Sequence, residues 1–174
     1  MEVQVQQPPT QEQVQQTPSI KTPSVDRIAL RAKIKTSANW FYWLAGLSVL
    51  NTILVHSGVE IAFIFGLGFT QVADGIVLGL IEATQSSIIM IVGMMISMMI
   101  AGAFALFGFL ANKHQKLGFL VGLIFYCLDA LIFLLFAEWI SFGFHIFALW
   151  RISSGYKALS KLQAASATPA FPEQ

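Results

Sequence analysis

Charge is what this sequence has least of. Asp, Glu, Lys and Arg make up 11% of its 174 residues, against 56% hydrophobic, whereas a soluble domain carries about a quarter charged residues. Such a chain has too little polar surface to cover itself in water, and a mean hydropathy of +0.69 points to lipid as its solvent. Charge of one sign is also lacking. A net charge of +1 supplies no strong cationic field, so no nucleic-acid partner is expected. Cysteine is nearly absent: Cys127 stands alone, which excludes an internal disulfide and leaves the redox compartment unread. It lies in an apolar run and reads as buried packing. HExxH, GxSxG, P-loop, CxxC and CxxCH patterns are all missing, so no enzymatic activity is indicated. A cleavable signal peptide is not expected either. Residues 1–24 are polar, and the first apolar run, from about Asn39, reads as an uncleaved signal-anchor.

What is present falls into four parts. Residues 1–25 are a Gln/Pro/Thr-rich tail expected to be disordered, because too little apolar area offsets chain entropy. Residues 26–38 interleave Arg27, Arg31, Lys33 and Lys35 with Ile28, Leu30 and Ile34. That pattern reads as a basic juxtamembrane helix on anionic headgroups or as a solvated, topology-setting cluster. Residues 39–163 form a transmembrane helical domain, and 164–174 a flexible tail.

A bilayer core takes roughly 20 apolar residues per helical crossing, which leaves room for four or five crossings. Trp40–His56 is the first, opening on the interfacial aromatics Trp40, Phe41, Tyr42 and Trp43. Ile88–Ala111, Leu117–Ala137 and a short Trp139–Ser154 are three more. Residues 61–84 are ambiguous, with four glycines and with Gln71 and Asp74 near their middle. A carboxylate at mid-bilayer costs about 2.5–3.5 kcal/mol; a re-entrant or interfacial segment would let Asp74 reach water. Charge bias arbitrates. Lys and Arg cluster in the N-terminal segment, in the 112–116 loop and after Arg151, and only four crossings put all three clusters on the cytoplasmic side. The expected fold is therefore an all-α, four-helix transmembrane bundle with 61–84 as an interfacial or re-entrant extra; five spans are the alternative.

Helices in lipid associate through small and polar residues. Gly93, Ser97, Ala101 and Ala105 share one face of their helix, and Gly118 and Gly122 form a second small-residue pair. Both predict close backbone contact, within the chain or between copies. Ser48, Asn51 and Thr52 share a face and should point into the bundle.

Intramembrane ionisable residues are the candidate functional sites. Asp129 and His145 flank the turn at Glu138 at nearly equal distance, so a helical rise of about 1.5 Å per residue puts them roughly 10–14 Å below the outer surface. They read either as a proton relay or ligand site, or as a pair locking two helices. Asp74, Asn51 and Gln71 complete the polar set. His56 with His145 is a thin basis for a haem, and Met90, Met94 and Met98 for Cu(I). No cofactor or metal is expected.

Three stretches, Asn39–Ser57 (NWFYWLAGLSVLNTILVHS), Phe65–Asp74 (FGLGFTQVAD) and Tyr126–Arg151, are spread over about two-thirds of the chain. Together they resemble a group of small bacterial polytopic membrane proteins of uncharacterised activity. The resemblance implies a multi-pass protein of the bacterial inner membrane and brings no catalytic residue with it. The functional expectation is a non-enzymatic accessory or assembly subunit, with the bilayer and either a second copy or other membrane proteins as partners. A small transport or proton-relay protein using Asp74, Asp129 and His145 is the alternative.

Overall fold

Every proline lies at or before Pro23 or at or after Pro169, so nothing in between forces a helix to break. The computed structural model describes residues 23–57 and 66–167, and these are all-helical. Among them run α1 (Pro23–His56), α2 (Gly68–Thr84), α3 (Ser87–Asn112), α4 (Lys116–Leu135) and α5 (Trp139–Ala167). Pro23 opens α1, where its missing N–H is no loss. The Gln/Pro-rich tail up to residue 22, the stretch 58–65 and residues 168–174 lie outside the described part.

Three helices, α1 from Asp26, α3 and α4, are long and apolar enough to cross a membrane. α2 has only 17 residues, and α5 carries Arg151 near its middle and Lys157 and Lys161 in its second half. Two boundaries differ from the sequence expectation. Residues 26–38 are not a separate element but the first part of an unbroken α1. α5 runs on to Ala167, well past Ser154, because its second half packs against the start of α1: Ile34 is buried there, as are Leu159 and Leu162.

The turns are tight. Gln85, His114 and Ala137, which follow α2, α3 and α4, have φ of 52°, 60° and 56°. After α3 the Gln115 N–H returns to the Leu110 carbonyl (3.1 Å), and after α4 the Glu138 N–H returns to that of Phe133 (2.9 Å). Both are the 6→1 bond of a left-handed helix stop.

Short turns make neighbours antiparallel. α1 and α5 are antiparallel too: Ser37 Oγ lies 3.3 Å from Ser154 Oγ, and Arg27 Nη2 donates to the Ala165 carbonyl at 3.2 Å. Gln163 Nε2 donates to the His114 carbonyl at 3.1 Å. The start of α1, the α3–α4 turn and the end of α5 therefore share one end of the molecule. The three basic clusters sit at that end.

Small residues allow the close approaches. A Cβ on Gly122 would stand 2.5 Å from Cζ of Phe41, and one on Gly118 would stand 2.7 Å from the Ala111 amide nitrogen. Gly93 seats the Val77 side chain of α2, and Gly155 seats Ser37 of α1. Ala101 is buried, and Ala105 packs against the core. The small-residue faces named from the sequence are used inside the chain. Cys127 departs from expectation: it is exposed on α4, because Tyr126, Asp129 and Phe133 hold the inward face of that helix.

Candidate functional site

The N-terminus of a helix leaves backbone N–H groups without partners. That of α2 lies inside the bundle, since the Leu67 N–H donates to Ser48 Oγ at 2.8 Å. Ser48 is about 12 Å short of the end of α1 at 1.5 Å per residue. Side chains of the bundle serve these amides. The next two are taken by one carboxylate: the Gly68 N–H donates to Asp129 Oδ2 at 3.0 Å and the Phe69 N–H to Oδ1 at 2.8 Å. Gly68 is suited to the contact. A Cβ there would meet the Phe133 ring at 2.9 Å and the Asp129 carbonyl oxygen at 3.2 Å. An anion at a helix N-terminus also meets the positive end of the helix dipole.

His145 completes the arrangement. Its Nε2 is 3.0 Å from Asp129 Oδ2, and its Nδ1 is 2.7 Å from the Ser141 carbonyl oxygen. A carbonyl only accepts, so Nδ1 carries a hydrogen. Nε2 and Oδ2 are at hydrogen-bonding distance, so the pair joins α4 to α5. Asp129 and His145 are both fully buried. The imidazole packs against the rings of Tyr126 (centroids 4.8 Å apart, interplanar angle 21°) and Phe133 (4.5 Å). Tyr126, Asp129 and Phe133 follow at i, i+3 and i+7, one face of α4.

Asp74 forms a second polar centre, about 9 Å further along α2 from Gly68. Its Oδ2 accepts from Thr52 Oγ1 of α1 at 2.8 Å, and its Oδ1 accepts from Ser97 Oγ of α3 at 2.6 Å. It is 1% exposed. The expectation that Asp74 reaches water is thus overturned: two hydroxyls replace solvent, and Ser97 is a donor as well as a small packing residue. The Asp74 and Asp129 centres have separate partners. Asn51 is buried against Gly66, and Gln71 lines a groove of about 560 Å³ with Ile132, Phe133, Glu138 and Ser141.

His56 and His145 do not face a common ligand. His56 Nδ1 lies 3.0 Å from the Thr52 carbonyl, and both nitrogens of His145 are engaged. His56 Nε2 and the Tyr126 hydroxyl are buried and without a hydrogen-bond partner among the described residues. On α3, Met90 lies at the surface, and Met95 and Met99 beside the stripe are well exposed. The sequence points to Asp129 and His145 but not to the α2 amides that Asp129 serves. The signal is there in Gly66-Leu67-Gly68, a break placed just before a new helix. No protein-family model, no curated protein and no solved structure matches the chain.

Proposed function

We propose that the chain is a non-enzymatic four-pass membrane protein, an accessory or assembly subunit, in which α1, α3, α4 and α5 cross and α2 is a re-entrant half-helix. The observation that carries this reading is the use to which the buried carboxylates are put. Asp129 caps α2 and Asp74 clasps it to α1 and α3, and all four of their oxygens accept hydrogen bonds from within the chain. Those are structural tasks, and they consume the groups a reaction would need.

Topology follows from the shared end of the three basic clusters. Positive residues mark the cytoplasmic side, so both termini are cytoplasmic and the α2–α3 turn at Gln85 faces out, in a bacterial inner membrane. The assembly role draws on α2. Gly75 and Gly79 lie one turn apart and exposed, with no atom of the described residues within 4 Å of where a Cβ would stand. Glycine costs about 1 kcal/mol against alanine in a helix, and no packing among the described residues requires either one. Close approach of another transmembrane helix is the use that remains. Native mass spectrometry after mild detergent extraction tests this. A second copy or a second membrane protein is expected to stay bound and to be lost in Gly75→Leu/Gly79→Leu; a bare wild-type monomer would overturn the proposal.

One observation favours a second reading, a proton relay. Secondary transporters place half-helix N-termini at the anionic groups of their substrates, and here that place is taken by an ionisable pair, Asp129 and His145. Vesicles containing the protein and a pH-sensitive dye decide it. No proton flux above that of empty vesicles ends the relay reading.

A further inference from the structure

Between α1 and α5 runs a groove of about 570 Å³ lined by Thr36, Asn39, Trp40, Trp43, Leu47, Phe144 and Arg151. From Thr36 to Leu47 it follows α1 for about 16 Å along the helix axis. Its two ends differ chemically. The end nearer the basic clusters holds Arg151, Thr36 and Asn39; the far end holds Leu47 and Phe144. Two tryptophans stand between them, as in an interfacial aromatic belt.

Arg151 is the informative residue. The one ion pair among the described residues joins His145 and Asp129, so the Arg151 guanidinium faces no carboxylate there. Its ring contact, to Trp150, is long at 6.0 Å. Asn39 accepts from Asn112 Nδ2 through its Oδ1 (3.3 Å), which leaves its own amide hydrogens to donate. A cation and amide and hydroxyl donors at one end, with an apolar slot continuing along the bilayer normal, match one molecule of defined shape. We propose that this groove binds an anionic phospholipid of the inner leaflet. The phosphate would sit on Arg151, Asn39 and Thr36, the glycerol region between Trp40 and Trp43, and the first part of one acyl chain along Leu47 and Phe144. A soluble anion would use the polar end and leave the apolar half empty, so the shape favours lipid. The assignment rests on the four-pass orientation proposed above.

Native mass spectrometry of the full chain, extracted from vesicles of equimolar phosphatidylglycerol and phosphatidylcholine, tests it. Wild type is expected to retain phosphatidylglycerol over phosphatidylcholine by about fivefold or more, the effect of one basic residue at an anionic surface. Arg151→Gln is expected to abolish the preference. Lys157→Gln, which removes an equal charge from the same end without lining the groove, is expected to keep it. Leu47→Trp, which fills the apolar half, is expected to lower retention with the charge intact. Equal retention of both lipids by wild type overturns the proposal, as does an equal loss in Lys157→Gln or displacement of the lipid by excess inorganic phosphate. Recovery of the protein in the aqueous fraction would instead sink the four-pass reading beneath it.

Discussion

Asp129→Asn and Asp74→Asn make the same chemical change at two buried carboxylates, and the structure predicts opposite outcomes. The partners of Asp74 are the hydroxyls of Thr52 and Ser97. A hydroxyl can turn round. When the new amide at position 74 offers an N–H, one hydroxyl accepts it and points its own hydrogen at the carbonyl four residues back in its helix. The change is expected to cost less than about 1 kcal/mol. Two of the partners of Asp129 are backbone N–H groups, which cannot be reversed. A carboxamide at position 129 has one oxygen for two amides, so one of Gly68 N–H and Phe69 N–H loses its acceptor. An orphaned buried donor costs about 1–3 kcal/mol, and the surviving bond loses about 1 kcal/mol of charge assistance. The sum is about 3 kcal/mol. For a chain of this size that lowers the apparent Tm by about 6–12 °C, read by circular dichroism in mild detergent, with Asp74→Asn near wild type. Equal losses in the two variants, or an unchanged Asp129→Asn, would refute the capping argument.

Other substitutions test the packing and the turns by the same melting assay. Gly93→Ala pushes a methyl into the Val77 side chain and is expected to cost about 1–3 kcal/mol, with Val77→Ala restoring part of it. Gly46→Ala, where no atom of the described residues lies within 4 Å, should be neutral or stabilising. Ala137→Gly removes a Cβ from a residue at φ 56° and is expected to raise stability by about 1 kcal/mol. Ser48→Ala strips the acceptor from the Leu67 N–H and is expected to cost about 1–3 kcal/mol.

Parts of this organisation are legible in the sequence because they depend on fixed geometry. Helical rise alone places Asp129 and His145 at a common depth on either side of a turn, and the structure brings them to 3.0 Å. A four-residue period puts Gly93, Ser97 and Ala101 on one inward face. What escapes sequence reading depends on which helices become neighbours. Gly155 looks like any helical glycine until α5 lies antiparallel on α1 and Ser37 fills its place. Asp74 looks as if it needs water because the two hydroxyls that satisfy it come from other helices. Cys127 sits in an apolar run that faces outward as readily as inward, since in lipid an exposed apolar residue costs nothing. The length of α5 beyond Ser154 is hidden for a related reason: its second half reads as polar until α1 supplies an apolar stripe for it to cover.

The account stands on the three cationic clusters facing one side while the α2–α3 turn faces the other. Single cysteines in place of Asp26, His114 and Gln85, in a Cys127→Ala background and probed in intact cells with a membrane-impermeant thiol reagent, measure this directly. The cysteine replacing Gln85 is expected to react, and those replacing Asp26 and His114 only after the cells are broken. Labelling of positions 26 and 114 from opposite sides, or of 85 and 114 from the same side, would contradict it.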